Sequence, residues 1–139
     1  MPVSPDLPTP NHPNAARILA AKHAVTPGRD LDPIFAVQAP DMVAHIPGTS
    51  PIAGVWPSRE ALAAAVRSLG ERAGDTIRIV PHVVATDAFA INVQRVTARR
   101  PDGRALDTVL TEVWRLRGGV CVELWDHFED LDAWDAFWR

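Results

Sequence analysis

The chain has 139 residues, which suits one domain, because a globule of this size buries roughly two-thirds of the surface that its unfolded chain exposes. Hydrophobic residues make up 47% of the chain and charged residues 22%, so the composition excludes a disordered or fibrous protein. The net charge of -3 and the scattered Lys and Arg residues exclude the basic surface of a nucleic-acid-binding protein.

Membrane and secretion signals are missing from the sequence. No apolar run approaches the ~20 residues that span a bilayer, and the opening residues lack the basic and apolar regions of a signal peptide. We therefore expect a cytoplasmic protein with no membrane partner. Cys121 is the single cysteine, which excludes an intramolecular disulfide and a cysteine-rich metal site.

The first elements of the chain are predicted to be an arm and two helices. Residues 1–13 hold five prolines and few large apolar groups, which favours a loose arm. Asn14 is a plausible N-cap for a short amphipathic helix that buries Ile18, Leu19 and Val25. A second helix, capped by Asp30 or Asp32, is predicted to end at Pro40.

A strand, a loop and the clearest helix follow. Residues 41–46 are rich in apolar side chains and end at Pro47-Gly48, which predicts the first strand and then a loop. Ser58 caps the next helix, whose buried face is expected to carry Leu62, Val66 and Leu69.

The hydrophobic period then changes from about 3.6 to about 2, which indicates strands. Four successive strands are predicted, over residues 76–86, 88–99, 105–116 and 120–128. Asp102-Gly103 and Gly118-Gly119 favour tight turns between antiparallel strands, and Asp130 can cap a last short helix. Helices, one strand, a helix and an antiparallel meander make an α+β fold.

Residues 39–54, residues 111–130 and the order of the elements between them resemble the nuclear transport factor 2-like superfamily, in particular its SnoaL-like and ketosteroid-isomerase-like branch. This resemblance implies one domain over residues 14–139, in which a cone-shaped, curved antiparallel sheet wraps around N-terminal helices. It also implies a pocket for a hydrophobic small molecule, no cofactor, and a homodimer. The fold hosts isomerases, cyclases, dehydratases, epoxide hydrolases and binding modules, so it does not decide the function.

Asp126 is the first candidate for catalysis. Strand alternation places it on the face of Val122, Leu124 and Phe128, where apolar neighbours would raise its pKa and let it act as a general acid or base. Its position resembles the region where SnoaL-like cyclases keep their acid/base aspartate. The alternative is an ion-paired or solvated aspartate at the end of a strand.

Glu112 is the second candidate. It resembles the place where ketosteroid isomerase carries the acid that stabilises an oxyanion. If Gly118-Gly119 forms a two-residue turn, Thr111 lies opposite Asp126, and the two carboxylates point to opposite faces of the sheet. Glu112 is then better explained as a partner of Arg115 or as a dimer contact.

His45 is the third candidate. It precedes Pro47-Gly48 and resembles a position near the general base of the isomerase branch, although the aligned base position itself falls on Ile46. A neutral imidazole there could relay a proton or orient a carbonyl group. The alternative is a hydrogen-bonded structural histidine.

Several residues are expected to line the pocket, and Trp56 is the best candidate for its mouth. They are Trp56, His82, Asn92, Trp114 and Phe128. The five histidines are scattered and show none of the spacings of a metal site, so no metal is predicted.

The chain contains no tyrosine, although a phenol supplies the oxyanion hydrogen bond in ketosteroid isomerases. No predicted strand carries the Arg-x-Asp element of the epoxide-hydrolase branch. Two hypotheses remain. One is an enzyme that uses Asp126 to promote cyclisation, isomerisation or dehydration of a polyketide-like substrate, and the other is a non-catalytic binding module of the same fold.

Overall fold

The computed structural model describes residues 10–139, which form an α+β fold in which helices cover one face of a curved sheet. The helices are α1 (Pro13–Ala24), α2 (Arg59–Ala73) and α3 (Leu131–Trp138). The strands are β1 (Gln38–Ile46), β2 (Gly54–Trp56), β3 (Arg78–Ala85), β4 (Phe89–Arg99), β5 (Ala105–Arg117) and β6 (Val120–Phe128). No helix within residues 10–139 is long and apolar enough to cross a membrane.

The six strands form one mixed sheet in the order β2-β1-β6-β5-β4-β3. The predicted meander is confirmed, since β3, β4, β5 and β6 pair with their neighbours in antiparallel fashion. The prediction of a wholly antiparallel sheet is wrong, because β1 runs parallel to β6. Strand β2, helix α2 and strands β3 to β5 lie between β1 and β6 in the chain, and this long connection permits parallel pairing.

The pairing of β5 with β6 corrects the predicted register. The register shifts between Arg115 and Leu116, because Arg115 pairs with Glu123 while Leu116 pairs with Cys121, so β6 carries one extra residue. Glu112 therefore lies directly opposite Asp126. The two carboxylates, which a regular hairpin would place on opposite faces, share the inner face of the sheet.

The start of the described chain is fixed to the sheet. The Asn11 side chain donates to the carbonyl oxygen of Ala85 at 3.0 Å and accepts from its amide, also at 3.0 Å. His12, not Asn14, caps α1, and its ring accepts from the amide of Asn14. Of the loose arm predicted for residues 1–13, residues 1–9 lie outside the described part, and the remainder is ordered.

The second predicted helix is wrong in its extent. A short 3-10 helix occupies Asp32–Val37, and β1 begins at Gln38 and runs through Pro40. Proline is tolerated there because Gln38 pairs with Cys121 and pairing resumes only at Val43, so Pro40 lies in an irregular stretch of the strand. The predicted loop after β1 contains the short strand β2, which pairs with β1.

The side chains that α1 and α2 turn towards the sheet form the core with its inner face. Ile18 of α1 is fully buried, Leu62 and Leu69 of α2 are buried, and the predicted Leu19 and Val66 are partly buried. Ser58 and Asp130 cap α2 and α3 as predicted, since each side chain accepts from the amide three residues ahead.

The loop after α1 approaches α2 unusually closely. Gly28 has a φ of 74°, and its carbonyl oxygen would lie 2.0 Å from a Cβ built on Gly70. Glycine is required at both positions, because one adopts a left-handed conformation and the other leaves room for backbone against backbone. This contact holds the loop against α2.

Candidate functional site

A partly open cavity lies between the inner face of the sheet and helices α1, α2 and α3. Its volume is about 150 Å³, close to the size of an engineered protein cavity that admits benzene. Its wall is mainly apolar and includes Ile46, Leu62, Val66, Leu69, Val96 and Leu110. The polar exceptions are Asp126, Glu112, Gln94 and Gln38 from the sheet, Lys22 from α1 and Arg59 from α2.

Asp126 reaches this cavity from the inner face of β6. Its side chain is buried, and its Oδ1 atom finds no hydrogen-bond partner among residues 10–139. Burial raises the pKa of Asp126 well above its usual range, and the charge of Glu112 opposite raises it further, while Lys22 acts in the other direction. This carboxyl group therefore keeps its proton to a higher pH than an exposed aspartate does.

Glu112 anchors a buried polar network at the same place. Its Oε1 atom lies 2.7 Å from Nζ of Lys22 and 2.7 Å from the Nδ2 atom of Asn92, which donates to it. Asn92 also donates to Oε1 of Gln94 at 3.1 Å. Glu112 does not pair with Arg115, whose guanidinium binds Glu123 on the outer face. The network holds the Glu112 carboxylate directly across from Asp126.

Lys22 is the member of this network that sequence reasoning missed. It lies on α1 four residues after Ile18 and seven after Ala15, both fully buried, so the helical period places it on the buried face. A lysine on that stripe was the signal that could have found it. Its ammonium group also lies 5.7 Å from the centre of the Trp114 ring.

His45 does not reach the cavity. Its ring stacks on Trp125 with the centroids 5.5 Å apart, and Nε2 lies 2.7 Å from Oε2 of Glu123. The neighbouring residue Ile46 borders the cavity instead, as strand alternation requires. The predicted role of His45 in proton transfer to a bound molecule therefore lacks the position that it needs.

The other predicted lining residues divide into two groups. Trp114 borders the cavity, and Asn92 lies behind Glu112 as its hydrogen-bond donor. Trp56 donates through Nε1 to the carbonyl oxygen of Ile52 at 2.8 Å, and Phe128 packs on Trp134 with the ring centres 4.5 Å apart. His82 lies on the outer face, in line with Val80 and Val84. Trp56, Phe128 and His82 are therefore not part of the cavity wall.

Trp134 and Trp138 of α3 complete the aromatic part of the wall. The indole nitrogens of Trp114, Trp134 and Trp138 are buried and lack hydrogen-bond partners in the described part of the chain. Burial raises the pKa of the Cys121 thiol to about 12, which excludes it as a nucleophile at neutral pH. Residues 10–139 contain no group of three or more His, Cys, Asp or Glu side chains that could hold a metal ion.

A comparison with known protein families identifies one matching family. The sequence pattern of the SnoaL-like domain matches residues 20–124, which include β1 to β5, α2 and the first half of β6. No curated protein sequence matches the chain closely enough to carry an inference.

Solved structures agree with this match. Bal32a, from a soil-derived mobile gene cassette, is 34% identical, with a TM-score of 0.80 over 91% of this chain and 96% of its own. An NTF2-like protein of unknown function from Burkholderia pseudomallei is 20% identical, with a TM-score of 0.73 over 91% of this chain and 95% of its own. A candidate SnoaL-like polyketide cyclase from Jannaschia sp. CCS1 is 13% identical, with a TM-score of 0.66 over 88% of this chain and 92% of its own.

Proposed function

The chain belongs to the SnoaL-like family, and from this premise we propose that it is an acid/base enzyme acting on a compact hydrophobic molecule. The reaction would be a cyclisation, isomerisation or dehydration, with Asp126 as the proton donor. The single observation that carries the proposal is a buried aspartate, with its pKa raised, in the wall of an apolar cavity.

The proposed chemistry moves one proton in a closed cycle. The protonated Asp126 carboxyl group donates its proton to a carbonyl oxygen or to a departing hydroxyl group of the substrate. The carboxylate that forms then takes a proton from a carbon of the substrate, which restores the acid. A dehydration written this way releases one water molecule. For a carbonyl substrate the two steps leave an enol, and an isomerisation is completed when the acid protonates a different carbon of that enol and the carboxylate takes back the proton of its hydroxyl group.

The Lys22–Glu112–Asn92 network would support both halves of this cycle. Before the reaction, the charge of Glu112 favours the protonated form of Asp126. After Asp126 has given up its proton, the ammonium group of Lys22 offsets part of the new negative charge. Glu112 and Lys22 act in this scheme as positioning residues, because neither is required to exchange a proton with the substrate.

The cavity limits the substrate. A volume of about 150 Å³ holds roughly one six-membered ring, so a longer polyketide-like substrate would have to extend beyond the cavity. The apolar wall would fold such a molecule and exclude water, which favours an intramolecular reaction over hydrolysis.

The first experiment measures the pKa of Asp126 by carbon NMR of its carboxyl group, with Asp126→Asn to assign the signal. We expect a pKa well above the usual range of an aspartate, and an ordinary or lowered pKa would contradict the proposal. Asp107→Asn is the matched control, because Asp107 is an exposed aspartate that pairs with Arg95.

A second experiment separates an enzyme from a binding module. Cyclohex-3-en-1-one serves as a ring-sized probe, and its isomerisation to the conjugated ketone is followed by absorbance. We expect Asp126→Asn to lower the rate about 10²–10⁴-fold, the usual contribution of a general acid or base. If the wild type binds the probe without converting it and Asp126→Asn binds it equally well, the binding module is the better description.

The predicted homodimer remains part of the proposal. The outer face of β3 and β4 exposes apolar side chains that a monomer would leave in water, namely Val80, Val84, Phe89, Ile91 and Val93. We expect light scattering to give twice the chain mass and Ile91→Glu to give the mass of a single chain. A monomeric wild type at micromolar concentration would contradict this.

A further inference from the structure

A second cavity adjoins the one that holds Asp126. It is an open cleft of about 460 Å³ between the end of α1, the loop that follows it, and the start of β3. Five residues border both spaces, namely Lys22, Val25, Pro27, Ile77 and Ile79. The cleft and the inner cavity are therefore direct neighbours.

The cleft differs from the inner cavity in its charge. Lys22, His23, Arg29 and Arg78 border it, whereas Asp75 is its single carboxylate. Asp75 is already paired with Arg29 at 2.5 Å, and Lys22 is paired with Glu112 on the inner side. The guanidinium group of Arg78 contacts only backbone carbonyl oxygens, those of Asp75 and Ile77, so its positive charge has no carboxylate partner among residues 10–139.

We propose that the cleft is the binding subsite for an anionic end of the ligand, and that the natural ligand is an amphiphilic carboxylic acid. Its apolar ring occupies the inner cavity, and its carboxylate lies in the basic cleft beside Arg78. This inference rests on the proposed function only in using the same cavity, and it does not require Asp126 to be catalytic.

An apolar cavity beside a basic cleft would orient the ligand as well as bind it. The wall of the inner cavity is mainly apolar, and the charge of Glu112 would disfavour a second carboxylate there. The carboxylate of the ligand is therefore directed outward, and the opposite end of the molecule is presented to Asp126. Arg59 also borders the inner cavity, but its guanidinium group donates to the carbonyl oxygens of Phe35 and Gln38.

The test compares the binding of 4-phenylbutyrate with that of 4-phenyl-1-butanol, two probes with the same ring and chain. The tryptophans in the wall of the inner cavity supply the fluorescence signal. We expect the acid to bind more tightly than the alcohol at low ionic strength, and the ratio of the two affinities to fall towards one in 0.5 M NaCl.

Three variants locate the anion. Arg78→Gln should weaken the acid about two- to fivefold, the range of an exposed ion pair, and leave the alcohol unchanged. Arg78→Lys keeps the charge and should restore the preference, which separates charge from local structure. Arg59→Gln should leave the ratio of acid to alcohol unaltered.

The outcomes distinguish this inference from the proposed function. Equal affinity for the two probes, or loss of the preference in Arg59→Gln but not in Arg78→Gln, overturns the anionic subsite and leaves the acid/base proposal standing. If neither probe binds, the anionic subsite is overturned, while the acid/base proposal is decided separately by the pKa of Asp126 and the cyclohex-3-en-1-one assay. A preference for the acid that persists in an enzymatically inactive protein supports the subsite alone.

Discussion

The two faces of the sheet use the same kinds of charged residue in opposite ways. On the inner face of β6, burial raises the pKa of Asp126, with the charge of Glu112 as a second cause. On the outer face of the same strand, hydrogen bonds from His45 and Arg115 lower the pKa of Glu123. The comparison teaches that burial and partners, more than residue type or position in the sequence, decide whether the pKa of a carboxyl group is raised or lowered.

The cost of removing a charge should differ most between the faces. Lys22→Met leaves Glu112 buried without its ion-pair partner, so we expect the free energy of unfolding to fall by about 3–5 kcal/mol in urea denaturation. The double variant Lys22→Met/Glu112→Gln should recover most of the loss, because the carboxylate is then gone. If Lys22→Met is as stable as the wild type, water reaches Glu112, and the expected difference between the two faces is absent.

The pH dependence of stability should have opposite signs on the two faces. The pKa of Asp126 is raised in the folded state, so the native protein holds a proton that the unfolded chain has lost, and this contribution to stability decreases as pH rises from about 4 towards the folded pKa. The slope is at most about 1.4 kcal/mol per pH unit. Urea midpoints measured from pH 4.5 to 8 should show this decline, and Asp126→Asn should remove it.

The pKa of Glu123 is lowered, so its contribution is present above the unfolded pKa and is lost as pH falls through the folded value. Glu123→Gln should therefore lower stability by a constant amount at neutral pH and change the slope of the profile only below about pH 5. A changed slope at neutral pH in this variant, or an unchanged slope in Asp126→Asn, would contradict the assignment of the two faces.

The smallest effect is expected for the ion pair between Arg95 and Asp107 on the outer face. Both side chains are more than half exposed, so solvent screens the pair. We expect Arg95→Gln to leave the urea midpoint within experimental error. A clear loss of stability would indicate that this part of the outer face is covered, as it would be in a tightly packed dimer.

The sequence predicts most of the fold because its signals are local. The Ser58 and Asp130 caps and the period-2 pattern of β3 to β6 agree with the structure, since each depends on neighbours within a few residues. The parallel contact of β1 with β6 joins strands about eighty residues apart, and no local pattern encodes it. Pro40 in β1 shows the same limit, because only the irregular pairing there makes a proline acceptable.

The site was predictable only in part. Asp126 could be assigned to an apolar strand face from alternation alone, but its relation to Glu112 depends on the extra residue in β6 near Arg115. One residue of slip exchanges the faces, so the sequence favoured the wrong answer. His45 and Ile46 illustrate the same sensitivity, because the structure places the neighbour of the candidate residue at the cavity.

The close contact of Gly28 with Gly70 has a consequence for how such a protein could acquire new substrates. The loop that borders both cavities is attached to α2 by backbone contact, whereas the acid belongs to the sheet. The shape of the wall and the chemistry therefore reside in separate parts of the chain. During evolution, changes in the length or the side chains of this loop could therefore alter which molecules enter the cavity, without moving Asp126.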